Sequence, residues 1–228
     1  MKIPGIAAQW IFILCLPVLL VTASMAWAAN SLWLYRAGFE KYNIAQTTGL
    51  AESELKKVAT GLISYFNSGE EYVKITVMKD GEPFELFTRE EIIHFRDVKA
   101  LFWLDYWVLL GTLVYCLSYA GVSLIWQRQR HWRRLAWAAV GGSGLTLGLM
   151  LALGLGTLLN FDQLFLQFHL LSFANKFWSV RGYMVMLFPR GFWFDTLLLC
   201  AGVTAGLAAV LGAIAGAYLL LARRKVTV

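Results

Sequence analysis

The sequence predicts an α-helical integral membrane protein: four transmembrane helices, with a small extracytoplasmic α+β domain between the first and second. Two observations carry this. The 228-residue chain is 59% apolar and 15% charged, more apolar surface than a soluble domain can use. Its charges are also unevenly placed. Residues 30–101 hold nine Lys/Arg and eleven Asp/Glu, interleaved rather than blocked, and the rest of the chain is dominated by long apolar runs. The net charge of +6 is no sign of nucleic acid, because the basic residues sit at the ends of apolar runs and form no stripe with stacking aromatics.

Residues 6–29 form the first apolar run, and roughly 20 such residues cross a bilayer core. Ala26-Trp27-Ala28 resembles a signal-peptide cleavage site, but the run is longer than a typical signal core of about 7–15 residues, so a retained helix is expected. Residues 30–101 are the polar domain. Within it Ala51, Leu55, Val58, Leu62 and Phe66 recur at helical spacing, with Gly69 suited to the stop. Tyr72 to Thr88 reads as a hairpin turning at Asp80-Gly81. Thr88 and Glu91 form a T-x-x-E capping box, so a helix should start there and run past His94. Charges interleaved with Ile92, Ile93, Phe95, Val98 and Leu101 suit an interfacial start before lipid.

Residues 102–126 are the second span, bordered by Trp103, Tyr106, Trp107 and Trp126. Residues 127–134, QRQRHWRR, read as a cytoplasmic basic loop, with His131 a solvated member near anionic lipid. The third span, 135–158, is glycine-rich, which permits close helix packing. Residues 159–193 form an outer loop in which Asn160 or Asp162 caps an interfacial helix through His169 to Trp178. The fourth span, 194–222, ends at Arg223-Arg224-Lys225. With Lys2, the basic loop and the C-terminus inside, the topology is N-in/C-in, and the polar domain, His94 and His169 all face outward. Cys15, Cys116 and Cys200 lie in apolar runs without metal or redox spacing and read as small core or lipid-facing residues.

The one constellation with evident chemistry is His94 with His169. Imidazole titrates near neutrality and can both accept and donate a proton within a turnover. Asp97, three residues after His94, is placed to orient that ring or raise its basicity, or is plain surface charge. Asp105, just inside the second span, is costly there unless functional or snorkelling to the interface. Lys176, Arg181 and Arg190 are outer-side cations that contact lipid phosphate or substrate oxygens, or are solvated. There is no G-x-S-x-G, Walker A, G-x-G-x-x-G or H-E-x-x-H. The histidine spacing specifies no metal site, and interfacial positions disfavour bis-histidine haem.

E-x-x-H-F-x-D-V-K (Glu91 to Lys99) before a span, and F-H-L-L-S-F-x-N-x-F-W (Phe168 to Trp178) followed by L-F-P (Leu187 to Pro189), resemble the lipoprotein intramolecular transacylase family, Lit. The resemblance covers essentially the whole chain and departs at Phe95, where the family often has Met. It implies a multi-pass bacterial cytoplasmic-membrane enzyme, its active site on the extracytoplasmic face. The reaction implied is transfer of the sn-2 acyl chain of a diacylglyceryl lipoprotein to the α-amine of its N-terminal cysteine, giving the lyso form. His94 would be the base and His169 the acid, or the reverse, with Asp97, Asp105, Asn175 and Arg190 as supporting or substrate-binding residues and Arg190 the candidate oxyanion contact. Expected partners are diacylglyceryl-modified lipoproteins and membrane lipid; no cofactor or metal is needed, and the chain is expected to act as a monomer. The alternatives are a metal-dependent membrane hydrolase using the histidines as ligands, and a non-catalytic membrane assembly protein.

Overall fold

A computed structural model describes residues 3–125, 129–179 and 181–224. In chain order the elements are α1 (Ile3–Ala29), α2 (Leu32–Lys41), α3 (Ile44–Thr48), α4 (Glu52–Phe66), β1 (Thr76–Lys79), β2 (Glu82–Glu85), α5 (Arg89–Ile125), α6 (Gln129–Ser172), a 3-10 turn (Phe177–Ser179), α7 (Tyr183–Leu187) and α8 (Arg190–Arg224). Among the described residues, four helices are long and apolar enough to cross a membrane: α1, α5, α6 and α8.

α5 has 37 residues, about 55 Å at 1.5 Å per residue against a bilayer core of about 30 Å. Its apolar part from residue 102 is read as the spanning stretch. The turns before it carry Arg89, Glu90, Glu91, Arg96, Asp97 and Lys99, and lie outside that stretch. The interfacial segment expected before residue 102 is therefore no separate element; it is the start of one long helix. α6 breaks at Asn160 (φ −156°, ψ 72°), which separates its apolar part from a second segment, residues 161–172.

Two expectations are corrected. Residues 129–134 are helical rather than a loop, because Gln and Arg are good helix formers and no Gly or Pro interrupts them; His131 therefore sits on α6. The helix through His169 ends at Ser172, not at Trp178. Beyond it the Asn175 side chain bonds the backbone two residues on, Oδ1 accepting from Phe177 N at 3.1 Å, a local bond that competes with the helix. Lys2, Trp126 and Lys225, expected at span borders, and residues 127 and 128 of the basic loop lie outside the described residues.

The chain forms two compact units. One combines the segments up to Met25, Asp105–Leu155 and from Leu199 onward. Phe12, Leu16, Leu20, Cys116, Ala138 and Ala208 form its core. Of the glycines in the 135–158 run, Gly142 explains itself by contact: a Cβ there would lie 3.0 Å from the Leu16 Cβ, while Gly144, Gly148 and Gly154 face open space. Ser24 accepts from Thr204 Oγ1 at 2.9 Å, so this polar pair inside the helices is satisfied.

The other unit is Ala26–Leu104 with Gly156–Leu198. α4 buries Leu55, Val58, Ala59, Leu62, Tyr65 and Phe66 on one stripe and has Glu52 and Glu54 in its first turn, where the helix dipole favours acid. It stops at Phe66 with Asn67 as its cap, ahead of Gly69. The hairpin is shorter than expected. Only Thr76–Lys79 and Glu82–Glu85 pair, through a turn with Asp80 and Gly81 both at positive φ (54° and 86°), the geometry a two-residue hairpin demands. The core joins α2, α4 and the hairpin to Phe87, Phe95, Met184, Leu187, Phe188 and Phe192. Lys99 is buried; its Nζ donates to Glu70 O (2.5 Å) and lies 4.3 Å from the Tyr65 ring centroid.

Candidate active site

The register of His94 is set locally. Thr88 N donates to Glu91 Oε2 at 2.8 Å and Glu91 N approaches Thr88 Oγ1 at 3.4 Å, so the capping box fixes where α5 begins. His94 then falls in the second turn, 6% exposed. His169 is placed by the restart of α6: Asn160 Oδ1 accepts from Gln163 N at 3.2 Å, making Asn160 the cap. Asp162, the other candidate cap, is engaged elsewhere.

The fold brings the two imidazoles together, ring centroids 6.3 Å apart and planes 22° from parallel. Phe173 touches both, at 4.7 Å from His94 and 5.5 Å from His169. Phe165 (4.1 Å), Trp178 (4.7 Å) and Phe168 (5.3 Å) complete the surroundings of His169.

The two rings differ in their hydrogen bonds. His169 Nδ1 lies 2.8 Å from Phe165 O; a carbonyl only accepts, so Nδ1 carries the hydrogen and the neutral ring has its lone pair on Nε2. His94 Nδ1 is buried without a hydrogen-bond partner among the described residues. Burial, then the neighbouring His169, pushes His94 down to about 4, with Asp97 opposing at a distance. Burial also lowers His169, and the Phe165 carbonyl partly offsets this by favouring the protonated ring.

Asp97 does not bond His94. Its Oδ2 accepts from Asn175 Nδ2 at 2.8 Å and its Oδ1 lies 3.4 Å from Arg96 Nη2. Asn175 therefore joins the site through Asp97. Arg190 forks onto Asp162, Nε to Oδ1 and Nη2 to Oδ2 (3.1 Å), and lies over the Phe161 ring. Asp105 belongs to the other compact unit. It is buried, with Oδ2 unpartnered among the described residues, rather than snorkelling outward. Lys176 and Arg181 are exposed. Among the described residues no three His, Cys, Asp or Glu side chains gather as a metal cage.

Sequence reasoning missed the aromatic lining and the second role of Glu91. This side chain is fully buried, and its Oε1 accepts from Met184 N at 2.6 Å, 93 residues away. The density of Phe and Trp between residues 165 and 178 was the visible signal for the lining. Nothing local signalled the Glu91 contact.

Residues 10–193 match the family model described as lipoprotein intramolecular transacylase Lit. In sequence the chain is similar to an uncharacterized protein of Aquifex aeolicus, 29% identical over 153 residues, which cover 66% of this chain and 65% of that relative's length. In fold it is similar to the membrane-integral lipoprotein intramolecular transacylase Lit of Bacillus cereus, with a TM-score of 0.77 at 17% identity over 97% of each chain. A histidine-to-arginine form of the same protein gives 0.70 at 20% identity, covering 95% of this chain and 94% of that one.

Proposed function

The chain belongs to the lipoprotein intramolecular transacylase family, Lit, and from that premise we propose that it moves an acyl chain within a diacylglyceryl lipoprotein. The sn-2 acyl group passes to the α-amine of the N-terminal cysteine, on the extracytoplasmic face of the bacterial cytoplasmic membrane. The observation that carries this reading is the facing pair of histidines in an aromatic surround.

An α-amine has an ordinary pKa near 8, so a useful share is neutral at physiological pH. Its nitrogen attacks the ester carbonyl; the C–N bond forms and the C–O bond to the glyceryl carbon's oxygen breaks. The attacking nitrogen must lose one proton and the leaving oxygen must gain one, so the reaction needs a base and an acid but no net proton. His94 is held neutral by burial, so a ring nitrogen is open to take the amine proton, with a basicity that the same burial lowers. His169 is suited to deliver that proton, because the Phe165 carbonyl holds its Nδ1–H and leaves the Nε2 lone pair to receive the proton and pass it to the leaving oxygen. Relaying the captured proton from His94 through His169 to the leaving oxygen returns both rings to the neutral state. Each transfer is typically worth about 10²–10⁴ in rate. Donor and acceptor share one molecule, so bending the glyceryl arm into reach supplies the remaining proximity.

The test is mass spectrometry of a reporter lipoprotein's N-terminal peptide from cells making this protein, His94→Ala or His169→Ala. N-acyl S-monoacylglyceryl cysteine with the unsubstituted protein and a loss of about 10²-fold or more in each variant is expected. Unchanged diacylglyceryl cysteine throughout, with the protein present in the membrane, refutes the reading.

A further inference from the structure

Resting on that transacylase reading, we propose that Glu91 is a positioning residue: its buried carboxylate clamps the segment that follows His169 onto the helix carrying His94, and so sets the separation of the two imidazoles.

A glutamate in a capping box is ordinarily half solvated, with one oxygen on the cap N–H and the other in water. Glu91 is 0% exposed. Its Oε2 takes Thr88 N and its Oε1 takes Met184 N. Both partners are backbone donors, so each requires an oxygen. A carboxylate supplies two; the amide of glutamine supplies one and would turn an NH₂ toward the other donor. The first turn of α5 favours the negative charge.

Space has been made for this contact. A Cβ on Gly182 would lie 2.2 Å from Glu91 Oε1 and 2.6 Å from its Cδ. The Gly182 φ of −178° is open to any residue, so glycine is needed here for room rather than conformation. A second tie lies on the other side of His94: Asp97 accepts from Asn175 Nδ2. The chain leaving His169 is thus held to α5 three residues before His94 and three residues after it. Between the ties runs Trp178, whose ring packs on His169, and just before the Asn175 tie stands Phe173, which touches both imidazoles. Releasing the Glu91 end frees the later part of this segment, and misplacing reacting groups by about 1 Å can cost about 10²-fold in rate.

The experiment is a double-mutant cycle on the full-length protein in membranes, with product formation per folded molecule read well below each variant's melting temperature. Glu91→Gln and Gly182→Ala should each slow the acyl shift by about tenfold or more, through turnover rather than apparent affinity. In a Glu91→Ala background the Gly182 Cβ has space, so adding Gly182→Ala should cost less than about threefold. A full-sized Gly182→Ala effect in that background, or an unslowed Glu91→Gln protein, overturns the proposal. Diethylpyrocarbonate labelling of His94, read by peptide mass spectrometry, needs no activity. Glu91→Gln and Gly182→Ala should label His94 about tenfold faster than the unsubstituted protein, as a loosened cover exposes a buried ring. Unchanged labelling in both refutes the clamp. Absence of product from the unsubstituted protein, with faster labelling in the variants, refutes the transacylase reading and leaves the clamp standing. Should Glu91→Ala fail to accumulate, the labelling comparison decides.

Discussion

Acidification should destabilise this protein through His94, and the effect can be sized from the structure. The ring is buried against Phe173 and His169, its Nδ1 has no partner among the described residues, and its pKa falls from an ordinary 6.5 to about 4. A histidine whose folded pKa is lowered binds fewer protons folded than unfolded between those two values. Its stabilising contribution is therefore complete above pH 6.5 and is lost as the pH falls to about 4. The gap of roughly 2.5 units at 1.36 kcal/mol per unit is about 3 kcal/mol. Because the ring is nearly enclosed, solvent screening removes little of it. His94→Phe keeps a planar ring in the aromatic surround and removes the titration; the share of His169 remains in both proteins. Thermal unfolding by tryptophan fluorescence in one detergent from pH 7 to pH 4 reads the difference. The unsubstituted protein should lose about 6–12 °C more than the variant, at 2–4 °C per kcal/mol for a chain of this size. Parallel pH curves for the two proteins would refute the assignment of a buried, neutral His94.

Asn160→Ala removes the acceptor for Gln163 N and should cost about 1 kcal/mol, with a loss of acyl-shift rate because the segment carrying His169 starts there. Chemical unfolding and the lipoprotein assay report the two effects separately. Gly81→Ala places a side chain at φ 86° in the hairpin turn and should cost about 1 kcal/mol while leaving the rate per folded molecule unchanged.

Local signals carried much of the fold. The four apolar helices follow from run length, the α4 stripe from helical spacing, the turn at Asp80-Gly81 from residue type, and the start of α5 from Thr88 and Glu91. The features that sequence reasoning missed depend on distant partners. α2 and α3 have too few residues to show a clear period. The end of α6 at Ser172 reflects an asparagine, Asn175, bonded both to the backbone N–H of Phe177 and to Asp97. The pairing of Arg190 with Asp162 joins side chains 28 residues apart, beyond any local pattern.

By itself the sequence determined the membrane class, the order of the spans and the two candidate histidines, because these depend on hydrophobic runs and residue chemistry that any short window displays. The tertiary structure alone decided the 6.3 Å approach of the rings, the tautomer of His169, the retreat of Asp97 from His94 and the burial of Glu91 against Met184. Each of these joins side chains or backbone groups whose separation is set by packing, and loop closure over tens of residues leaves no periodic mark in the chain.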